Sequence, residues 1–242
     1  MEISELIAAF DRDSAAFLDA CEVAGLTTPV DSCPGWSVAD LLWHLTEVHH
    51  FWRMIVAERR STWEGYEQPP RPVPEGLPAM YGHGRDALLA TLSAADPALP
   101  VWTWAEEKTA GFVIRRMAQE TAMHLWDAAQ AAGVVNPVDA ELASDGIDEF
   151  LAHFIAEAAQ DAPPVAGSVH LHCGDVPGEW TVRQTEGGGF SVAREHSKGD
   201  CAIRGSASNI LLALWRRLPL SVCDVVGDAD VAARFVAHSS LE

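Results

Sequence analysis

The sequence lacks the paired cysteines and the basic surplus that mark several classes of protein. Its five cysteines are odd in number, and no two are spaced as CxxC. This pattern predicts neither a disulfide framework nor a cysteine-rich zinc site, and it favours a reduced, cytoplasmic protein. Acidic residues number 35 against 16 basic ones, giving a formal net charge of -19. Because such a chain repels phosphate groups, neither nucleic acid nor an anionic membrane is expected as a partner.

Long apolar runs are missing as well. No segment approaches the roughly 18 consecutive apolar residues that a transmembrane helix needs, and the acidic start MEISELIAAFDRD is unlike a signal peptide. The chain also lacks GxSxG and Walker motifs. Apolar residues nevertheless make up 48% of its 242 residues, which is enough for a packed core. We therefore expect one large or two small folded domains.

Helical periodicity dominates the first part of the chain. Apolar residues recur at helical spacing from Ile3 to Ala24, and Gly25 follows as a stop signal. A second helix is predicted to start at Ser37, the N-cap of a capping box with Asp40. Three further helices are predicted at about residues 85–95, across residues 115–131 and at about residues 139–159. The Pro- and Gly-rich residues 61–84 are predicted to form a loop.

The spacing of apolar residues changes from helical to alternating after the segment QDAPPVAG at residues 160–167. Short alternating runs, separated by Pro-Gly and Gly-Gly-Gly, predict strands and hairpins between residues 168 and 196. ASNILLALWRRLP then returns to helical spacing, and a short helix is predicted near residues 228–237. The predicted fold class is α plus α+β, with a helical domain over residues 1–162 and a small α+β domain over residues 163–242.

The stretch RRMAQETAMHLWDAAQA places ionisable side chains on one helix face. Glu120 and His124 lie four residues apart and therefore project in the same direction. His44 lies on the apolar stripe of the second helix, so two facing helices could bring these three side chains together. Two imidazoles and one carboxylate are a recurrent catalytic zinc set that leaves a fourth position open. Asp127, one turn beyond His124, could orient its second ring nitrogen.

Simpler interpretations of the same residues stay open. Most Glu/His pairs at this spacing are surface neighbours, and a single histidine on an apolar stripe is usually a hydrogen-bonded core residue. His49 and the residue after it are expected to face outward or to line a pocket rim. His170 and His172 share one face of a predicted strand, where they either bind metal or, as we expect, face solvent.

Four sequence blocks together resemble a known family: CPGWSVADLLWHL, ETAMHLWDA, RGSASNILLALWRRLP and VVGDADVAARF. The chain resembles the actinobacterial mycothiol-dependent maleylpyruvate isomerase family over nearly its whole length. The resemblance implies a DinB-like four-helix bundle at the N-terminus, followed by a small α+β domain similar to sterol carrier proteins.

The resemblance also implies a metal site and a reaction. Carried over by position, the family's zinc ligands are His44, Glu120 and His124. Zinc would lower the pKa of the mycothiol thiol, because metal coordination deprotonates thiols. The thiolate then adds to an unsaturated acid, the double bond rotates and the thiol leaves. A cationic residue of the C-terminal domain would assist the substrate carboxylate, and the candidates are Arg204, Arg216 and Arg217.

Two positions depart from the family pattern. Leu125 stands where relatives often carry a basic residue, and Gln119 stands where they often carry a histidine. These changes leave the ligands intact and bear on the substrate. We expect a zinc-dependent, mycothiol-using isomerase or S-transferase, acting on a small electrophile as a monomer or homodimer. The alternatives are a hydrolase using zinc-bound water and a non-enzymatic protein that binds a hydrophobic ligand.

Overall fold

The chain forms two compact units. The computed structural model describes residues 1–156 and 162–240. The first unit spans Met1–Asn136 and the second Pro137–Glu242. The sequence led us to expect the division between residues 162 and 163. The difference arises because the fifth helix packs within the second unit, as described below.

The first unit is built from helices. Its four α-helices are α1 (Ile3–Ala24), α2 (Val38–Ala57), α3 (Leu77–Ala94) and α4 (Ala110–Ala131). Helix α1 packs against α3 and α4, and α2 packs against the same two helices. This arrangement confirms the predicted helical N-terminal region. Within the described ranges, no helix is long and apolar enough to cross a membrane.

Local sequence signals determine where α2 begins. The side chain of Ser37 accepts a hydrogen bond from the backbone N–H of Asp40, and the Asp40 carboxylate accepts one from the backbone N–H of Ser37. The predicted capping box is therefore confirmed. Side-chain and backbone hydrogen bonds from Ser37, with help from Arg71, lower the pKa of Asp40 to about 2. The box fixes the start of the helix that carries His44.

Helix α3 begins eight residues earlier than the sequence led us to expect. Residues 77–84 were predicted to be loop because they contain one proline and two glycines. Pro78 lies in the first turn, however, where its missing N–H costs no helical hydrogen bond. Leu77 and Tyr81 are fully buried on the inner face, and the Tyr81 hydroxyl donates to the carbonyl oxygen of Ser14 at 3.0 Å. Tertiary packing thus outweighs the local composition.

The core of the first unit draws on all four helices. Its buried residues include Phe17 of α1, Leu45 of α2, Tyr81 of α3 and Leu125 of α4. Leu125, one of the two departures from the family pattern, is therefore part of this hydrophobic core. The packed helices hold the inner faces of α2 and α4 in fixed positions.

The second unit is α+β, as predicted. Within the described residues its sheet has five strands: β1 (Ser168–Cys173), β2 (Glu179–Gln184), β3 (Phe190–Ala193), β4 (Cys201–Gly205) and β5 (Asp224–Gly227). The strand order is β3-β2-β1-β4-β5, with β1 and β4 parallel and the other pairs antiparallel. The unit also contains α5 (Ala140–His153), α6 (Ala207–Leu214) and α7 (Ala229–His238). Strands β4 and β5 were not predicted, and they form through pairing with neighbouring strands, β4 with β1 and β5 with β4.

Aromatic contacts explain why α5 belongs to the second unit. The ring centroids of Phe150 and Trp215 lie 5.4 Å apart, and those of Phe154 and Trp215 lie 4.9 Å apart. The indole N–H of Trp180 on β2 donates to the Asp148 carboxylate on α5. The helix ends at His153 rather than near residue 159, and residues 157–159 of the predicted span lie outside the described residues.

Candidate metal centre

Two helices of the first unit bring the predicted ligands together. Helix α4 presents Glu120 and His124 one turn apart, as their spacing predicts. Helix α2 presents His44 between Leu41 and Leu45, which are both fully buried. The ring centroids of His44 and His124 lie 5.0 Å apart. The close packing of α2 on α4 therefore gathers three side chains from distant parts of the sequence.

The donor atoms of these three residues converge on one point. Nε2 of His44 lies 3.2 Å from Oε1 of Glu120, and Nε2 of His124 lies 3.3 Å from the same oxygen. All three donor atoms lie within 4.8 Å of one another. Zinc bonds of about 2.0–2.1 Å in a tetrahedron place two ligand atoms roughly 3.3–3.4 Å apart. The residues present therefore fit a zinc ion with three protein ligands.

Asp127 holds the other nitrogen of His124. Its Oδ2 lies 2.9 Å from Nδ1 of His124, and its Oδ1 accepts a hydrogen bond of 2.6 Å from the hydroxyl of Ser32. The Asp127 carboxylate is completely buried. A buried carboxylate at Nδ1 keeps the proton on that nitrogen and leaves the lone pair of Nε2 for a ligand.

Arg116 is a member of this site that the sequence analysis missed. Its Nη2 donates to Oε2 of Glu120 at 2.6 Å, from one turn earlier on α4. Burial raises the pKa of Glu120, but the charge of Arg116 and hydrogen bonds with His124 and His44 outweigh it, so the pKa falls well below its ordinary value. Arg116 thus keeps Glu120 ionised, as a metal ligand must be. The i, i+4 spacing of Arg116 and Glu120 was the available signal.

The carboxylates around His124 favour its protonated form when no metal is bound. Burial alone would lower the pKa of His124. Hydrogen bonds with Asp127 and Glu120 have the larger, opposite effect and raise the pKa to about 9. The positive charge of the imidazolium then lies at the point where the three donor atoms converge. Binding of a cation would release this proton, because only the neutral imidazole is a ligand.

Cys33 lies close to the same site. Its Sγ is 3.8 Å from Oδ2 of Asp127, and Cys33, His124 and Asp127 form a second group with donor atoms close enough for a metal ion. The Asp127 carboxylate already accepts from Ser32 and bonds to His124, however, so it acts as a hydrogen-bonding group here. This geometry favours His44, Glu120 and His124 as the ligand set.

His49 does not lie where we expected it. Its side chain is fully buried, with the ring centroid 5.2 Å from that of Phe10 and 5.4 Å from that of Tyr81. Its Nε2 lies 3.3 Å from the hydroxyl of Thr121. The expectation of an outward-facing or rim position is therefore wrong, because α1 and α3 cover this part of α2. Burial lowers the pKa of His49 to about 3, so the ring is neutral.

The three arginine candidates all lie in the second unit. Arg204 is exposed on β4, where it is the register partner of His172. Arg216 has a left-handed backbone, with φ of 55°, and its guanidinium donates to the carbonyl oxygen of Ser239. The Arg217 guanidinium lies 5.8 Å from the ring centroid of Trp215. Their assignment to the reaction stays a prediction.

A helical bundle with a convergent His/Glu/His set, followed by an α+β unit, defines a class of two-domain proteins with a candidate metal centre. The sequence model of the mycothiol maleylpyruvate isomerase N-terminal domain matches residues 7–129, and that of the corresponding C-terminal domain matches residues 141–234. The chain belongs to the mycothiol maleylpyruvate isomerase family. The resemblance inferred from the sequence blocks is thereby confirmed.

Solved structures agree with this assignment of the fold. The crystal structure of the mycothiol-dependent maleylpyruvate isomerase superposes with a TM-score of 0.57 and 12% identity, covering 88% of each chain. A variant of that isomerase with one histidine replaced by alanine gives the same TM-score and coverage at 11% identity. At these identities the likeness establishes the fold alone. No curated protein sequence matches the chain.

Proposed function

We propose that this protein is a zinc-dependent enzyme that uses mycothiol to isomerise a small unsaturated acid such as maleylpyruvate, or to transfer the thiol to a related electrophile. The observation that carries the proposal is the convergence of Nε2 of His44, Oε1 of Glu120 and Nε2 of His124. Family membership supports mycothiol as the cosubstrate. The cytoplasmic location and the monomeric or homodimeric state stay predictions.

The roles of the residues follow from their contacts. His44, Glu120 and His124 would hold the ion, while Asp127 fixes the ring of His124 and Arg116 keeps Glu120 ionised. Zinc held by these three residues would have an open position, and a thiol bound there would be deprotonated near neutral pH. His44 is about one-third exposed, so the site is accessible from its side.

The proposed isomerisation adds no atoms to the substrate and removes none. The thiolate would form a C–S bond at one carbon of the double bond, while the π electron pair moves onto the conjugated carbonyl group as an enolate. The resulting single bond rotates, and the electron pair returns to re-form the double bond as the C–S bond breaks and the thiolate leaves. Substrate carboxylates would be held by one of Arg204, Arg216 and Arg217. Replacing the assisting arginine by glutamine should raise KM for the anionic substrate while the zinc content stays the same. An unchanged KM in all three variants would remove the arginines from the proposal.

Zinc content is the first test. Protein purified without added metal, and His124→Ala beside it, would be compared by elemental analysis. His83→Ala, which removes an exposed histidine of α3, is the matched control. We expect His124→Ala to lose one equivalent of zinc and His83→Ala to lose none. A wild-type protein that takes up no zinc even when it is supplied would contradict the metal-dependent function.

Thiol dependence is the second test. Maleylpyruvate isomerisation would be followed with and without mycothiol, for the wild type and for His124→Ala. We expect turnover only with mycothiol and zinc, and loss of turnover in His124→Ala. Turnover of an ester or amide substrate at equal rates with and without thiol would favour the hydrolase. Binding of an apolar ligand with no turnover of any substrate would favour the binding protein.

A further inference from the structure

A second group of metal-ligating side chains lies in the α+β unit. His170 and His172 are two residues apart on β1, so they project from the same face of the sheet. Glu179 on β2 is the direct register partner of His172 and shares that face. His196 joins them from the segment that links β3 to β4. Three histidines and one glutamate thus meet on one face.

The donor atoms of this group are close to one another. Nδ1 of His172 lies 2.8 Å from Oε1 of Glu179, and Nδ1 of His196 lies 2.7 Å from Oε2. Nε2 of His170 lies 3.5 Å from Oε2 of the same carboxylate. All four side chains offer donor atoms within 4.8 Å of one another. The three rings therefore surround a single carboxylate.

His170 gives an independent indication of a ligand. Its side chain is 9% exposed, so it does not face solvent as we expected from the strand pattern. Its buried Nε2 makes no well-formed hydrogen bond within the described residues, and the nearest carboxylate oxygen, Oε2 of Glu179, is 3.5 Å away. A buried polar atom without a partner costs free energy unless an ion or another group satisfies it.

The segment that carries His196 is held against the sheet. The Thr181 hydroxyl lies 3.4 Å from the carbonyl oxygen of Glu195, next to His196. At the other end of the segment, the Asp200 carboxylate accepts hydrogen bonds of 2.7 Å from both the backbone N–H and the hydroxyl of Ser168. The segment is thus held on both sides of His196 in the sequence.

Ordinary ion pairing accounts poorly for this arrangement. One carboxylate offsets only one positive charge, yet three imidazoles approach Glu179. His196 is 78% exposed, and exposed ion pairs contribute little to stability. Three neutral imidazoles and one carboxylate are instead a ligand set that suits zinc and neighbouring divalent transition metals.

We propose that His170, His172, Glu179 and His196 form a second metal site, which takes a divalent transition metal ion of the zinc type. None of these ligands belongs to the His44, Glu120 and His124 set, so the proposal does not depend on the proposed function. Four protein ligands complete a tetrahedral shell and leave no open position, which is typical of structural zinc. The ion would fasten the β3–β4 segment to β1 and β2.

Zinc stoichiometry tests this proposal in the full-length protein. Chelator-stripped protein would be dialysed against a small excess of Zn²⁺ and its zinc content measured by elemental analysis. The comparison needs the wild type, His196→Ala, His124→Ala, the double variant and the control His83→Ala. We expect His196→Ala to hold one equivalent less than the wild type, and the double variant to hold one less than His124→Ala. His83→Ala should match the wild type.

The outcomes separate the two sites. Equal zinc in His196→Ala and the wild type would overturn the second site, and so would an equal loss in His83→Ala, which indicates adventitious surface binding. If His124→Ala retains its zinc while His196→Ala loses one equivalent, the proposed function fails and the second site stands. Because His196 is largely exposed, its replacement should leave the circular dichroism spectrum unchanged. His172→Gln is a second variant that should also lose one equivalent.

Discussion

At the scale of single residues, the orientation of His124 depends on Asp127. Asp127→Asn keeps the shape of the side chain but removes the charge that holds the Nδ1 proton of His124. Groups that orient a metal-binding histidine typically contribute about 10–100-fold to metal affinity. We therefore expect Asp127→Asn to weaken zinc binding to the first site by about that factor, measured by competition with a chelator of known affinity.

Ser32→Ala is the matched control for this prediction. It removes one hydrogen bond to Asp127 but leaves the carboxylate and its contact with His124 in place. Its effect on zinc affinity should therefore be smaller than that of Asp127→Asn. If Asp127→Asn binds zinc as tightly as the wild type, Asp127 does not support the ligand set.

His49 should make the stability of the helical unit depend on pH. Burial lowers its pKa from 6.5 to about 3, so the unfolded chain binds a proton that the folded protein does not. The contribution of His49 to the free energy of unfolding is fully present above about pH 6.5. As the pH falls from there towards 3, this contribution decreases by up to about 1.4 kcal/mol per pH unit. The free energy of unfolding of the wild type should fall more steeply on acidification than that of His49→Gln, as measured by urea titration. Parallel pH profiles would contradict this assignment.

Sequence reasoning found part of the site because part of it is local. Glu120 and His124 share a helix face by spacing alone, and Asp127 follows one turn later. The approach of His44 depends on how α2 packs on α4, so the helical pattern offered it only as a possible third ligand, and the family resemblance strengthened that assignment. The contact between Ser32 and Asp127 joins residues 95 positions apart. No local pattern predicts such a contact, because it arises only from the tertiary packing.

At the scale of secondary-structure elements, the start of α2 depends on Ser37. Ser37→Ala removes the side-chain acceptor for the Asp40 N–H and the hydroxyl that donates to the Asp40 carboxylate at 2.6 Å. Loss of such a cap typically costs about 1 kcal/mol. We expect this decrease in the free energy of unfolding, followed by far-UV circular dichroism in urea. Zinc content should stay the same, because His44 lies two turns further along the helix.

Ser61→Ala, an exposed serine in the loop after α2, is the matched control and should leave stability unchanged. A cap variant as stable as this control would show that tertiary packing alone fixes the helix start.

The boundaries of α1 and α2 follow their sequence signals closely. The start of α3 does not, because the buried Tyr81 and its hydrogen bond to Ser14 extend the helix across residues predicted to be loop. Short strands such as β5 likewise form only through pairing with neighbours.

At the scale of the whole molecule, the charge is strongly unbalanced. The chain carries 35 acidic and 16 basic residues. Many of its ion pairs involve side chains on the surface, such as Arg71 with Asp40, and these contribute little. Mutual repulsion among the remaining carboxylates opposes the compact state, since the unfolded chain spreads the same charge over a larger volume.

Salt should therefore stabilise this protein. At an ionic strength of about 0.15 M the Debye length falls to about 8 Å, so repulsion between separated surface carboxylates is largely screened. Raising sodium chloride from about 0.01 M to about 0.15 M should raise the thermal midpoint of the metal-free protein. The expected rise is roughly 2–4 °C for each kcal/mol by which the free energy of unfolding increases. Potassium chloride should act equally, because screening depends on ionic strength and not on the identity of the ion. A midpoint that falls with both salts would mean that the net charge of -19 does not limit the stability of the fold.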